Sequence, residues 1–308
     1  MSETANEGAR SPLRRALRPA LLPAYRARGL TYATAVISLI LLGVTSFVPL
    51  GEGPRAFRGL VGLVALIVVA WCVLITFMGP RLLPNHTPEI VASPVRGRWL
   101  GMNSPASKTP SHGVRMYGQA FAIDLVAEPL DRARPAFGDG PIMRPASEYP
   151  AFREPIFAMI PGTVVRATDW RRDHRARSHW PALAYLIVEG AVRELGGPGF
   201  ILGNHVTIRG TNGAYATVAH LQQGSLRVRV GETVVAGQRL GSCGNSGNST
   251  EPHVHAQLMD RASPWTGQGI PMEFAQIALE PEDSVPTGPL GSGLPANGQH
   301  MTAPAPSP

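Results

Sequence analysis

Lysine is almost missing from this chain: Lys108 is the single lysine among 28 basic residues, and arginine supplies the rest. No lysine-rich arm exists, and the aromatic-plus-basic signatures of the common RNA-binding modules are absent, so nucleic acid is not an expected partner. Cysteine is scarce as well. Cys72 lies in an apolar run and Cys243 in a glycine-rich segment far from it. This excludes the disulfide-dense class of small secreted domains and argues against an intrachain disulfide. Aromatics make up 6% of the chain, against 34 glycines and 30 prolines, a balance that favours turns and short strands over long soluble helices. The formal charge of +7 is spread along the sequence and suits attraction to an anionic surface, such as lipid headgroups or an acidic cell wall.

What the chain does contain is two long uncharged runs near its start. Residues 1–29 are polar and carry Arg10, Arg14, Arg15, Arg18, Arg26 and Arg28. Residues 30–79 hold apolar runs at about 31–50 and 60–78, separated by a break with Glu52, Arg55 and Arg58. Each run has the roughly 20 residues needed to cross a bilayer core, so a transmembrane helical hairpin and a lipid bilayer partner are expected. Two spans leave both chain ends on one side. The N-terminal arginines, joined by Arg81, Arg96 and Arg98, favour the cytoplasmic side under the positive-inside rule.

Residues 80–100 read as a linker and 101–280 as the soluble domain. Alternating runs at Gln119–Val126, Asn204–Arg209, Ala214–His220, Leu226–Val235, Gln238–Gly241 and His253–Met259, with two short strands around Pro161-Gly162, predict a mainly β, antiparallel-sheet domain. An insertion at about 169–202 interrupts them. It holds a basic patch (Arg171, Arg172, His174, Arg175, Arg177, His179) and a helix over 181–195 that stops at Gly196-Gly197. It should emerge near His220 and wall or cover a substrate groove. The tail, 281–308, is rich in Pro, Gly, Ser and Ala and is expected to be disordered.

The chemistry gathers at His253-Val254-His255. Residues i and i+2 of a strand share a face, so the two imidazoles stand side by side. Zinc takes imidazole nitrogen and carboxylate oxygen, and catalytic zinc sites keep three protein ligands plus a water. The turn-rich approach Gly241–Pro252 brings backbone close to whatever the histidines hold.

Residues 231–255 resemble the C-terminal half of the lysostaphin-like (LytM-type) zinc metallopeptidases. Ala219-His220-Leu221 resembles the family's hairpin motif, Pro161-Gly162-Thr163-Val164 its Gly-Thr-Val turn, and Phe121–Leu125 its metal-binding Asp strand; the likeness spans roughly residues 110–260. The resemblance implies the metallopeptidase fold, a Zn2+ cofactor and peptidoglycan as substrate. Carried over, Asp124 and His255 are zinc ligands, while His220 and His253 are catalytic. The family's compact pattern has a histidine four residues before the Asp, and here that place holds Ala120. His112, twelve residues before Asp124, fits a longer arm and is taken as the third ligand; the alternative is a loop histidine in a degenerate site.

These readings combine into a membrane-anchored zinc metalloendopeptidase of peptidoglycan cross-bridges or stem peptides, with its catalytic domain outside the cell membrane. Three others compete. A catalytically inactive LytM-type module that regulates cell-wall hydrolases would lack ligands. A lipoyl- or biotinyl-type carrier, suggested by Val228–Leu240, needs a lysine on a turn, and Lys108 lies well before that hairpin. A cytoplasm-facing peptidase would follow the arginines.

Overall fold

The computed structural model describes residues 12–84, 86–281 and 291–304. It divides into two compact units, Met1–Asn85 and His86–Pro308.

The first unit is a pair of antiparallel-connected helices, α1 (Pro12–Val44) and α2 (Glu52–Met78), which pack on each other. Both are long and apolar enough to cross a membrane. Their outer faces expose Leu41, Val44, Phe57, Leu63, Val64, Ile67 and Phe77, a density of apolar surface that water penalises and hydrocarbon does not. Helix α2 begins at Glu52, so Arg55 and Arg58, read in the sequence as part of a break, lie on its first turns. Arg58 donates to the Thr45 carbonyl across the connection.

The second unit is built on one curled sheet. Its ten main strands are β1 (Glu89–Ala92), β2 (Gly97–Met102), β3 (Ile123–Ala127), β4 (Gly162–Thr168), β5 (His205–Gly210), β6 (Tyr215–Ala219), β7 (Thr233–Val234), β8 (Val254–Met259), β9 (Met272–Leu279) and β10 (His300–Ala303). Their order across the sheet is β1-β9-β10-β2-β3-β8-β6-β5-β4-β7. Every pairing is antiparallel except β1 with β9. The mainly β, antiparallel architecture expected from the alternating runs is what the chain adopts.

Alternation decides the faces. Ile123 and Leu125 of β3, Val254, Ala256 and Leu258 of β8, and Val206 and Ile208 of β5 share one fully buried apolar core. The intervening residues, Asp124, His255 and Gln257, are thereby turned to the opposite face. Burying side chains of this size contributes about 1.5–3 kcal/mol each, so a one-residue slip of β8 would cost the core and scatter the site together.

Three regions differ from the sequence reading. The expected linker, 80–100, supplies β1 and β2, in which Val91, Val95 and Trp99 are buried. The tail expected to be disordered supplies β10, which pairs β9 and β2 and buries Met301 and Ala303; composition hid a four-residue strand whose partners lie far away in sequence. Of the run Gln119–Val126, only the second half is strand. Met116–Phe121 is a short 3-10 segment with Tyr117 at φ 59° and Gly118 at φ 77°. The insertion helix forms at Trp180–Leu195, here α3.

Candidate metal centre

Strand register assembles the site. His255 of β8 stands opposite Asp124 of β3 on one side and Ala219 of β6 on the other. Ala219 leads into His220, which turns the chain at φ 61°. That left-handed conformation is costly for a β-carbon-bearing residue and is characteristic of functional positions. It is held at both peptide groups, by His220 N–H donating to the Leu202 carbonyl and by Gly244 N–H donating to the His220 carbonyl.

His112 reaches the same place by a closed loop. Ser111 N–H donates to the Ala120 carbonyl, and the Ser111 hydroxyl donates to the Gln119 carbonyl. These bonds pin residue 111 beside residue 120, so the next side chain enters where a histidine at 120 would have been. The left-handed pair Tyr117-Gly118 makes the turn. A β-carbon at Gly118 would meet Met259 at 2.5 Å, so glycine is required there on both counts. His112 Nε2 then lies 3.1 Å from Asp124 Oδ2, and Asp124 Oδ1 lies 2.9 Å from His255 Nδ1.

The neighbours fix the tautomers. The Ser111 hydroxyl has one proton, given to the Gln119 carbonyl, so it accepts from His112 Nδ1–H at 3.1 Å and leaves Nε2 as a lone pair. Gln257 donates its amide to the Tyr117 carbonyl, so its Oε1 accepts from His255 Nε2–H at 2.8 Å and leaves Nδ1 as a lone pair. Asn103 donates to Asp124 Oδ2 at 2.8 Å. Two imidazole lone pairs and a carboxylate therefore face one point, with their donor atoms within 4.8 Å of one another. They repel unless a cation lies between them. Zinc bonds of about 2.0–2.1 Å at tetrahedral angles put neighbouring donor atoms roughly 3.3 Å apart, close to the spacings around Asp124. The residues fit the ion.

His220 and His253 complete a second pair, with ring centroids 4.6 Å apart. His220 Nδ1–H donates to the Ser246 carbonyl at 2.8 Å and His253 Nδ1–H to the Glu251 carbonyl at 2.8 Å. A carbonyl can only accept, so each ring keeps a free Nε2 lone pair, and that of His253 is 3.6 Å from Asp124 Oδ1. Burial pushes His220 well below the ordinary histidine range, with His253 and His255 acting in the same direction. Burial also opposes charge on His253, but the Asp124 carboxylate outweighs it and raises that group.

All five residues singled out in the sequence thus come together: His112, Asp124 and His255 around one point, His220 and His253 beside it. Reading the sequence missed their supports. Gln257 had a signal, since it is two residues after His255 on the same strand face. Asn103 had none, because only the β2–β3 pairing brings it near Asp124. His205 stands opposite Ala219 in the same cross-strand row as His255 and Asp124, and is buried and hydrogen-bonded to the Gly203 carbonyl. The insertion braces the loop beneath His220: Asp173 accepts from Asn245 N–H at 2.6 Å, and His174 contacts the Gly247 carbonyl at 2.9 Å.

The model of peptidase family M23 matches residues 181–266, a stretch that holds His220, His253 and His255. Among solved structures the chain is similar to a catalytic-domain mutant of the prophage-encoded M23 protein EnpA from Enterococcus faecalis, at 24% identity over 44% of this chain and 85% of that one, with a TM-score of 0.26. It is similar to the catalytic domain of the antimicrobial peptidase lysostaphin from Staphylococcus simulans, at 20% identity over 60% of this chain and 88% of that one, TM-score 0.30. A zinc-containing peptidase from Vibrio cholerae matches at 16% identity over 60% of this chain and 38% of that one, TM-score 0.27. The likeness to zinc metallopeptidases read from the motifs agrees with the M23 family match over residues 181–266.

Proposed function

We propose that this chain, whose C-terminal unit is an M23-type peptidase domain, is a membrane-anchored zinc metalloendopeptidase that cleaves peptide bonds in peptidoglycan cross-bridges or stem peptides. The observation that carries the reading is the convergence of the His112 and His255 lone pairs on the Asp124 carboxylate. His112, Asp124 and His255 would hold a zinc ion, which would supply a bound water of pKa about 7 and Lewis-acid polarisation of a carbonyl.

The protein's own groups do the rest. Asp124 supplies negative charge at the ion's position, and Asn103 and the paired strands fix its orientation. Gln257 holds the His255 ring. His220 and His253, each anchored through Nδ1–H, offer their Nε2 atoms on the same side as the donors. Together they accept a proton from the attacking water, hydrogen-bond the developing tetrahedral oxyanion and pass a proton to the leaving amine. Their burial excludes competing water. Helices α1 and α2 are proposed to anchor the chain in the membrane, with the peptidase unit on the outside.

The full-length protein incubated with peptidoglycan is expected to release fragments with new amino termini, identified by mass spectrometry, and a chelator is expected to abolish them. Release that is indifferent to chelator, or absent from several wall chemistries, contradicts the reading.

A further inference from the structure

The peptidase chemistry leaves the basic patch of the insertion unused. Arg171, Arg172, Arg175, Arg177 and Arg193 line one open cavity of about 680 Å³. The carboxylates on its wall are Asp173 and Glu189, so five fixed positive charges face two negative ones. Neither carboxylate serves Arg171, Arg172 or Arg175. Asp173 is occupied by the backbone N–H groups of Gln223 and Asn245. Glu189 is shared between Arg177 and Arg193.

Of the unserved arginines, Arg171 is held in place by its neighbours. The Arg171 guanidinium is sandwiched between Trp170, at 4.3 Å from the ring centroid, and Phe200, at 3.8 Å. Its Nε is buried without a hydrogen-bond partner, as is that of Arg177. A buried N–H left unpaired costs free energy that a bound acceptor would recover. Stacking fixes the plane of the fork at little cost to its hydrogen-bonding edge, which is how arginine recognises oxyanions. Arg172 is exposed and makes no side-chain hydrogen bond among the described residues.

We propose that this cavity is a binding site for a phosphate group, distinct from the metal centre. An excess of three positive charges matches a phosphate better than the single charge of a carboxylate. Free phosphate and a lipid headgroup share that chemistry. The lipid source has one feature in its favour: α3, which contributes Glu189 and Arg193 to the wall, exposes Val188 and Val192 beside them.

The test is calorimetric titration of the full-length, chelator-treated and dialysed protein in a neutral detergent, so that neither zinc nor hydrolysis enters. Inorganic phosphate is titrated at constant ionic strength against a chloride control, and phosphatidylglycerol-doped micelles against phosphatidylcholine-doped ones. The wild type is expected to bind one of the two phosphate probes saturably, with at least tenfold weaker binding in Arg172→Gln and in Arg171→Lys, which keeps the charge but loses the fork. Saturation by inorganic phosphate assigns a soluble ligand, and saturation by phosphatidylglycerol alone assigns a headgroup. No saturable binding of either probe, or equal binding by both variants and wild type, overturns the proposal and leaves the peptidase reading untouched.

Discussion

His112 Nε2 lies 3.1 Å from Asp124 Oδ2 although His112 precedes Asp124 by twelve positions. The arm closes on itself through the Ser111–Ala120 bond, so the added length is invisible at the donor atoms. A departure from the compact motif spacing therefore need not mean a lost ligand. It can mean a ligand delivered by a loop.

The division of labour among the histidines is testable. His220→Ala and His253→Ala each remove a proton-transfer group but no predicted metal donor. Both variants are expected to keep wild-type zinc content and lose about 10²–10⁴ of peptidase rate, measured as fragment release per bound zinc. Loss of zinc in either would reassign that residue to the metal.

Gln257 touches no substrate but sets the His255 tautomer. Removing such a support typically weakens metal affinity by about 10–100-fold. Gln257→Ala should show this in competition with a chelator of known affinity, with the sheet intact by circular dichroism. Unchanged affinity would mean that strand packing alone orients His255.

Acid sensitivity is expected where the C-terminal strand joins the sheet. Glu128 accepts from His300 at 2.8 Å and from Arg134 at 2.9 Å. Partial burial acts to raise its pKa, but the His300 and Arg134 hydrogen bonds prevail and hold it below the ordinary value. A carboxyl depressed in the folded state stabilises at pH above its unfolded value, about 4.3. That stability is lost as pH falls through the folded value. Glu128→Gln should thus lower Tm at neutral pH, by an amount corresponding to about 1 kcal/mol, and the gap from wild type should close under acid conditions. A gap that persists in acid would point to packing rather than charge.

On the side of the membrane, the proposed function and the charge distribution point opposite ways. Peptidoglycan lies outside, whereas the N-terminal arginines favour an inward-facing chain. A phosphatase reporter fused after residue 304 is expected to be active, as it is only on the outside. Activity of a cytoplasmic reporter at that position would redirect the search to intracellular peptides.

How much of this was legible in the sequence depended on distance along the chain. His253, His255 and Gln257 occupy one strand face, so a period of two exposes them. The β5–β6 hairpin is local and its turn residues announce it. By contrast, β10 pairs β9 and β2 across gaps that no local pattern records, and proline-rich flanks masked its buried Met301 and Ala303. The Asn103–Asp124 bond was hidden for the same reason. The strand expected over Gln119–Val126 starts too early because Gln119–Phe121 alternate well enough, while the left-handed backbone at Tyr117 and Gly118 carries the 3-10 segment through Phe121.

The most direct measurement is zinc stoichiometry of the purified full-length protein and its His112→Ala variant after equal exposure to a mild chelator. The wild type is predicted to retain about one zinc per chain and the variant almost none, as expected when one of three protein ligands is removed. A variant that holds as much zinc as the wild type, or a wild type that holds none after zinc has been supplied, would contradict the assignment of His112, Asp124 and His255 as the metal site.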